Sequence, residues 1–137
     1  MDNSENRLLD VFFYGLYMDE EILKSKNVTP RNKRAAIAPG YKLRIGKMAT
    51  LLRENNAQAF GMVYSLTHAE ITSLYEGSGL TSYVAESIVI QTKQNKTIAA
   101  LCCNLLAPPS EQENNIEYLE KLKVCMKKYE LPTPIDT

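Results

Sequence analysis

Two short loops carry the residues whose types could do chemistry. The first loop follows a β-prone run and precedes a short helix, and it comprises Tyr14, Gly15, Leu16, Tyr17 and Met18. A turn of this kind exposes backbone N–H groups beside the positive end of a helix dipole, and glycine lets a ligand approach the backbone closely. The loop is therefore a candidate cradle for a carboxylate or an oxyanion, although many such junctions bind nothing.

The second loop combines a carboxylate with two glycines and a tyrosine farther along the chain. Its residues are Glu76, Gly77, Ser78, Gly79 and Tyr83. A carboxylate at a helix end beside glycines can be partly buried, and burial raises its pKa toward the value that a general acid–base needs. Glu76 is thus a candidate proton shuttle, and the alternative is an exposed glutamate at the end of a helix.

The other reactive side chains form no constellation. Cys102, Cys103 and Cys125 match no zinc-binding spacing, and the first two point to opposite faces of a probable strand. We interpret them as small apolar residues of a reduced protein. His68, the one histidine, lies near a probable helix start and is expected at the surface rather than in a catalytic triad.

Short strands must position the two loops. Residues 11–14 read as a buried strand that ends at the first loop, and Asp19 is a good N-cap for the helix that follows. Residues 35–45 form another β-like stretch. Residues 49–52 and 58–66 flank Arg53-Glu54-Asn55-Asn56, which we predict to be a hairpin loop.

The second half of the chain adds helices and one more hairpin. Thr67 and Glu70 have the spacing of a capping box, so a short helix is expected to begin there and to end at the second loop. Residues 84–92 and 97–106 are β-rich and are joined by a probable turn at 93–96. A terminal helix over 116–129 is predicted by an apolar stripe. The stripe consists of Ile116, Leu119, Leu122, Met126 and Tyr129.

These elements predict an α+β fold: a small curved mixed β-sheet or barrel of about six strands, with short helices and a C-terminal helix. The chain of 137 residues fits one domain, expected over 11–137 after a flexible N-terminus at 1–10. No apolar run reaches the ~18 residues of a membrane span, and the polar N-terminus lacks signal-peptide character, so a cytoplasmic protein is expected.

Acidic and basic residues number 16 each, so the chain has no basic excess of the kind that nucleic-acid-binding proteins carry. Five basic residues nevertheless lie close together along the chain, and we interpret them as a solvated face. They are Lys24, Lys26, Arg31, Lys33 and Arg34.

The order and spacing of the motifs resemble the gamma-glutamylcyclotransferase family, also called AIG2-like. That family has Tyr-Gly-(Ser/Thr)-Leu after a strand, then Gly-Tyr-x-Leu, Gly-x-x-Tyr, Leu-Thr, Leu-Asp-x-x-Glu-Gly and a downstream Tyr. The matching segments here begin at Tyr14, Gly40, Gly61, Leu66, Leu74 and Tyr83. No single motif is specific, and the resemblance covers about 11–106.

The chain departs from this pattern at positions that matter. Leu16 and Tyr17 replace the family's Ser/Thr and Leu. Counting along the helix without a gap puts the family's Asp at Tyr75 and its catalytic Glu at Ser78, whereas counting back from Tyr83 puts that Glu at Glu76. The gap-free count slightly favours Ser78, and both alignments stay open.

The resemblance implies a specific reaction of transferase type without a metal or other cofactor. The α-amino group of a gamma-glutamyl amine or amino acid attacks its own γ-carbonyl, which yields 5-oxoproline and a released amine. It implies Glu76, or the position of Ser78, as the acid–base, and substrate contacts from residues 14–18, Gly79 and Tyr83. The alternative is an inactive small-molecule-binding protein on the same fold. No nucleic-acid or membrane partner is expected, and a homodimer stays open.

Overall fold

Within residues 3–76 and 82–133, which the computed structural model describes, the chain forms five strands and three helices. The strands are β1 Leu8–Phe13, β2 Arg31–Ile45, β3 Ala49–Thr67, β4 Tyr83–Thr92 and β5 Thr97–Leu105. The helices are α1 Glu20–Ser25, α2 His68–Glu76 and α3 Ile116–Lys128, and a single 3-10 turn spans Leu16–Met18.

The strands close into a barrel in the order β1-β3-β2-β4-β5. All neighbours are antiparallel except β1 and β5, which run parallel where Val11 pairs with Leu101. Strand β1 begins at Leu8, three residues before the expected start at 11. The predicted α+β class with a mixed barrel and a C-terminal helix is confirmed.

The predicted hairpin loop at Arg53–Asn56 is wrong, because β3 runs through it. Strand β2 pairs with β3 on both sides of an irregularity in which Pro39 faces Gln58 and Tyr41 faces Arg53. Gly40, with a φ of +81°, thus stands alone opposite residues 54–57. A bulge of this kind absorbs extra residues in one strand without ending the ladder. The real turn lies at 46–48, so two long strands replace three shorter ones and the strand count is five instead of about six.

The local signals for helix starts and for the second hairpin are confirmed. The side chain of Asp19 accepts a hydrogen bond from the Glu21 amide (3.0 Å) and caps α1. Thr67 and Glu70 form the expected reciprocal box: the Glu70 amide donates to Thr67 Oγ1 (3.2 Å), and the Thr67 amide donates to Glu70 Oε1 (2.9 Å). Strands β4 and β5 pair in register around the turn at 93–96.

Helix α3 packs on the barrel with the predicted stripe except at the first residue of that stripe, and Leu119 and Tyr129 are half-buried within it. Leu122, Cys125 and Met126 are buried, but Ile116 is 68% exposed. Tyr118, half-buried, begins the buried stripe at a spacing of four residues from Leu122. The prediction is therefore wrong at Ile116, where Tyr118 takes the inner position in the first turn, and it is confirmed for the rest of the stripe.

The barrel interior and the space beneath the helices hold two apolar clusters. One lies between β1, β3 and the helices and includes Phe13, Tyr64 and Leu122, and the other fills the barrel around Phe12 and Ile90. The three cysteines are buried free thiols, as expected, and His68 is exposed on α2. None of the helices in the described ranges combines the length and apolarity needed to cross a bilayer.

Candidate functional site

A cavity of about 280 Å³ opens where the end of β1 meets the β2–β3 turn, the end of α2, the start of β4 and the first turn of α3. Phe12, Phe13, Leu16 and Met48 form apolar parts of its wall, and Lys47 contributes the one charged side chain among the described lining residues. Aromatic rings dominate the remainder. They belong to Tyr14, Tyr17, Tyr75, Tyr83 and Tyr118.

The loop after β1 is shaped by a close contact with α3. A Cβ atom at Gly15 would overlap the hydroxyl oxygen of Tyr118, so this position excludes any larger residue unless the tyrosine moves. The same hydroxyl accepts a hydrogen bond from the Leu16 amide (3.3 Å), and the Met18 amide donates to the Gly15 carbonyl (2.9 Å). Within the described residues, the amides of Gly15 and Tyr17 have no protein acceptor. Among the residues that the structure describes, two backbone donors of this loop are thus left for a ligand.

Three tyrosine hydroxyls of the cavity are held by backbone carbonyls. Tyr14 Oη donates to the Cys103 carbonyl (2.7 Å), and Tyr17 Oη donates to the Leu74 carbonyl (3.1 Å). Tyr83 Oη donates to the Ala49 carbonyl (2.5 Å). These bonds fix the rings, so the cavity wall is preformed and the hydroxyl protons are already used.

Burial keeps the tyrosines of the cavity protonated near pH 7. Desolvation raises the pKa of Tyr83 to about 12 and, with a contribution from neighbouring ionisable side chains, raises the pKa of Tyr75 well above its ordinary value. Burial likewise raises the pKa of Tyr14 and of Tyr118. These four side chains are neutral near pH 7 and therefore cannot serve as general bases.

Tyr75 forms the centre of the aromatic wall. Its ring lies 5.7 Å from that of Tyr17 in an edge-to-face arrangement and 5.6 Å from that of Tyr83. Both separations fall in the range in which aromatic pairs attract one another. The end of α2, the first loop and the start of β4 are thereby joined through three rings.

The structure brings some of the sequence-predicted site residues together and leaves others apart. Tyr14, Gly15, Leu16 and Tyr17 line the same cavity as Tyr83. Met18 instead points into the core, where it is fully buried and its carbonyl accepts a hydrogen bond from Tyr64 (2.6 Å).

Glu76, the candidate acid–base, is the last residue of α2, where it is exposed and does not contribute to the cavity wall. The residue before it, Tyr75, takes the inward position. Gly77, Ser78 and Gly79 lie outside the described residues, so the predictions made for Ser78 and Gly79 remain predictions. Within the described ranges, neither a carboxylate nor an imidazole lines the cavity.

Sequence reasoning missed three polar side chains of the wall. Lys47 was missed because the connection at 46–48, between the predicted stretches 35–45 and 49–52, was not interpreted as part of a site. Tyr118 sits four residues before the buried Leu122 on α3, a spacing that could have revealed it. Tyr75 was noted only as a departure from the family's Asp, although a large aromatic beside the buried Leu74 was itself a signal of an inward face.

Comparison with known proteins agrees with the motif order. A sequence model of one protein family, described as "Gamma-glutamyl cyclotransferase, AIG2-like", matches residues 11–122. No curated protein sequence matches significantly.

Solved structures share the fold at low sequence identity. A human protein titled as uncharacterized superposes with a TM-score of 0.72 at 21% identity, covering 92% of this chain and 82% of that one. A protein titled "Gamma-glutamyl cyclotransferase" gives the same score and identity over 91% and 82%. A protein from Arabidopsis thaliana gives 0.68 at 17% identity over 96% and 98%. At these identities the likeness establishes the fold alone.

Proposed function

The chain belongs to the gamma-glutamyl cyclotransferase, AIG2-like family, and on that premise we propose that it binds a small molecule in the tyrosine-lined cavity without turning it over. One observation carries the proposal. The described cavity wall holds five tyrosines and one lysine, whereas the only carboxylate near it along the chain, Glu76, is exposed on the outside of α2.

The group that the described cavity wall lacks is a proton shuttle. Cyclisation of a gamma-glutamyl compound needs a side chain that accepts a proton from the α-ammonium and returns one to the leaving nitrogen, and such catalysis contributes about 10²–10⁴-fold. The buried tyrosines hold their protons near neutral pH, as argued above. Residues 77–81 read Gly-Ser-Gly-Leu-Thr, a segment without any ionisable side chain. A serine at 78 would place at the family's catalytic position a hydroxyl that is too weak a base without a partner.

Binding is supported by the preformed wall. Hydrogen bonds to backbone carbonyls hold three of the tyrosine rings in place before a ligand arrives. Binding therefore costs little side-chain conformational entropy. The amides of Gly15 and Tyr17, which have no acceptor among the described residues, supply directional donors in a largely apolar cavity. A mostly apolar pocket with a few fixed polar groups is typical of small-molecule sites.

The second candidate function is the cyclisation itself, with Glu76 as the acid–base. It is favoured by the position of Glu76 next to Tyr75, one residue from the cavity wall and at the start of the segment 77–81. In that reaction the α-amino nitrogen bonds to the γ-carbonyl carbon and the bond to the leaving nitrogen breaks. Glu76 would take a proton from the α-ammonium and pass one to the departing amine.

Release of 5-oxoproline from a panel of gamma-glutamyl amines and amino acids separates the two candidates. We expect wild type and Glu76→Gln to be equally inert, and we expect Ser78→Glu to gain activity if the helix count places residue 78 at the acid–base position. Turnover by wild type that is lost in Glu76→Gln would establish the enzyme instead. Wild-type turnover that survives Glu76→Gln would contradict both assignments.

A further inference from the structure

We propose that the ligand of this cavity is a carboxylate with an apolar or aromatic body and without an α-ammonium group, its carboxylate facing Lys47. The inference rests on the proposed function and specifies the ligand class of the same site. It comes from the charge of the cavity wall, whose described residues carry one positive side chain and no negative one. The α-ammonium group of a gamma-glutamyl substrate needs a carboxylate or another acceptor beside it, whereas the described wall presents the ammonium of Lys47.

Several polar groups of the described wall are donors, and the one charged side chain among them is positive. The amides of Gly15 and Tyr17 are free within the described residues, and Lys47 carries a positive charge at the rim. Tyr118 Oη already accepts from the Leu16 amide, which leaves its own hydrogen as a further donor. An acceptor-rich anion satisfies such a set, and a hydrogen bond to an ionised group is stronger than one between neutral groups.

The acceptors of the wall are either occupied or neutral. The Ala49 carbonyl receives bonds from both Tyr83 (2.5 Å) and Tyr14 (3.3 Å), and the Leu74 carbonyl receives one from Tyr17. The tyrosine oxygens and the other backbone carbonyls of the described wall are neutral, so an ammonium group would meet no charged acceptor there. Such a group would lack a carboxylate partner within the described cavity and would lie near the like charge of Lys47, which disfavours it.

Size and wall composition set the remainder of the ligand. The cavity of about 280 Å³ is larger than the roughly 150 Å³ that holds a benzene molecule, so one ring with a short acidic chain fits. Phe13, Leu16 and Met48 add apolar surface to the tyrosine rings. 3-Phenylpropionate is therefore a suitable probe, since it combines a ring with a carboxylate and has no amine.

Aromatic faces can also attract cations, which offers a competing preference. A cation over a tyrosine ring gains roughly 0.5–2 kcal/mol, depending on how far it is desolvated. In this cavity the wall itself carries a positive charge on Lys47, which repels a cationic ligand. The rings of Tyr17, Tyr75 and Tyr83 also pack against one another in edge-to-face and tilted arrangements. The charge of Lys47 should therefore decide in favour of anions.

Three matched probes test the inference on the full chain: 3-phenylpropionate, phenylalanine, which adds an α-ammonium, and 3-phenylpropylamine, which exchanges the carboxylate for an amine. Calorimetry gives each Kd, and amide shifts of Gly15 and Tyr17 in ¹⁵N-HSQC spectra locate the binding. We expect 3-phenylpropionate to bind at those amides, phenylalanine at least tenfold more weakly, and the amine not at all.

Lys47→Met should raise the Kd for 3-phenylpropionate by about fivefold, which corresponds to the loss of one exposed ion pair. Lys93→Met, at an exposed lysine in the β4–β5 turn, is the matched control and should leave the Kd unchanged. Equal or tighter binding of phenylalanine or of the amine would overturn the inference, as would binding of none of the three or no effect of Lys47→Met. Because these probes cannot form 5-oxoproline, the outcome is independent of whether the chain is an enzyme.

Discussion

The hydroxyl of Tyr118 on α3 accepts a hydrogen bond from the amide of Leu16, 3.3 Å away, in the loop that shapes the cavity. The other end of α3 reaches the same segment: Lys128 Nζ lies 2.9 Å from Asp19 Oδ1, and the Glu20 amide donates to Tyr129 Oη (2.8 Å). The C-terminal helix and its C-cap thus contact the first residue of the 3-10 turn and the two residues just after that turn, and the shape of the cavity depends on how this helix docks.

The contact between Gly15 and Tyr118 gives the first prediction. Gly15→Ala should lower the free energy of unfolding by about 1–3 kcal/mol, because its Cβ displaces the Tyr118 hydroxyl from the Leu16 amide. In a Tyr118→Phe background the same change should cost less, since the nearest remaining ring atom, Cζ, lies 3.7 Å from the new Cβ, an ordinary contact. Urea unfolding of the two single variants and the double variant measures this coupling.

Additive effects of the two changes would contradict that contact. Gly40→Ala is not a suitable control because Gly40 has a positive φ, which strains any other residue there. A better control is Ser87→Ala on β4, an exposed position away from the cavity wall, which should change the free energy of unfolding by no more than about 0.5 kcal/mol.

The face that α3 presents to the barrel gives a second prediction. Leu122→Ala should lower the free energy of unfolding by about 2–5 kcal/mol, because Leu122 is fully buried and its removal leaves a cavity. Ile116→Ala, on the same helix but mostly exposed, should cost well under about 1 kcal/mol. Similar losses in the two variants, measured by thermal and urea unfolding, would mean that the helix docks with a different face.

The carboxylate of Glu70 predicts a pH dependence of stability. Burial opposes its ionised form, but the hydrogen bonds from Arg31 and from the amides of Thr29 and Thr67 outweigh burial and hold the pKa of Glu70 below its usual value. The folded state therefore binds a proton less readily than the unfolded one. This contribution to stability is complete above the unfolded pKa of about 4.3 and is lost as the pH falls through the lower folded value.

Glu70→Gln should consequently be less stable than wild type by about 1–2 kcal/mol at pH 7, and the difference should shrink as the pH falls below about 4. Urea unfolding at a series of pH values measures this. The control, Glu5→Gln, replaces an exposed carboxylate near the N-terminus and should follow wild type at every pH. A Glu70→Gln difference that is constant with pH would show that the ionised carboxylate is not what stabilises the start of α2.

Local sequence signals predicted the local structure well. The Asp19 cap, the Thr67–Glu70 box and the β4–β5 hairpin depend on residues within a few positions of one another, so spacing alone reveals them. An extra loop was predicted at 53–56 because Gly40 and the polar run at 53–56 resemble breaks, whereas pairing between distant residues lets one long ladder absorb both as a bulge. Long-range pairing is not encoded in a local window.

The candidate site was predicted in part for the same reason. The first loop and Tyr83 were found from motifs, and they line one cavity. Lys47 and Tyr118 reach it only through the β2–β3 turn and the docking of α3, which are tertiary features. Glu76 was a candidate because of its residue type, but its side chain follows Tyr75 around the last turn of α2 and is exposed.

Formation of 5-oxoproline by the wild-type chain, at high protein concentration and near pH 7 with gamma-glutamyl amines and amino acids, tests the central claim most directly. The account predicts a rate equal to that of the buffer blank, because the described cavity wall offers neutral tyrosines and a lysine in place of a carboxylate. Acceleration over the blank by the roughly 10²-fold or more that a general acid–base supplies would contradict it.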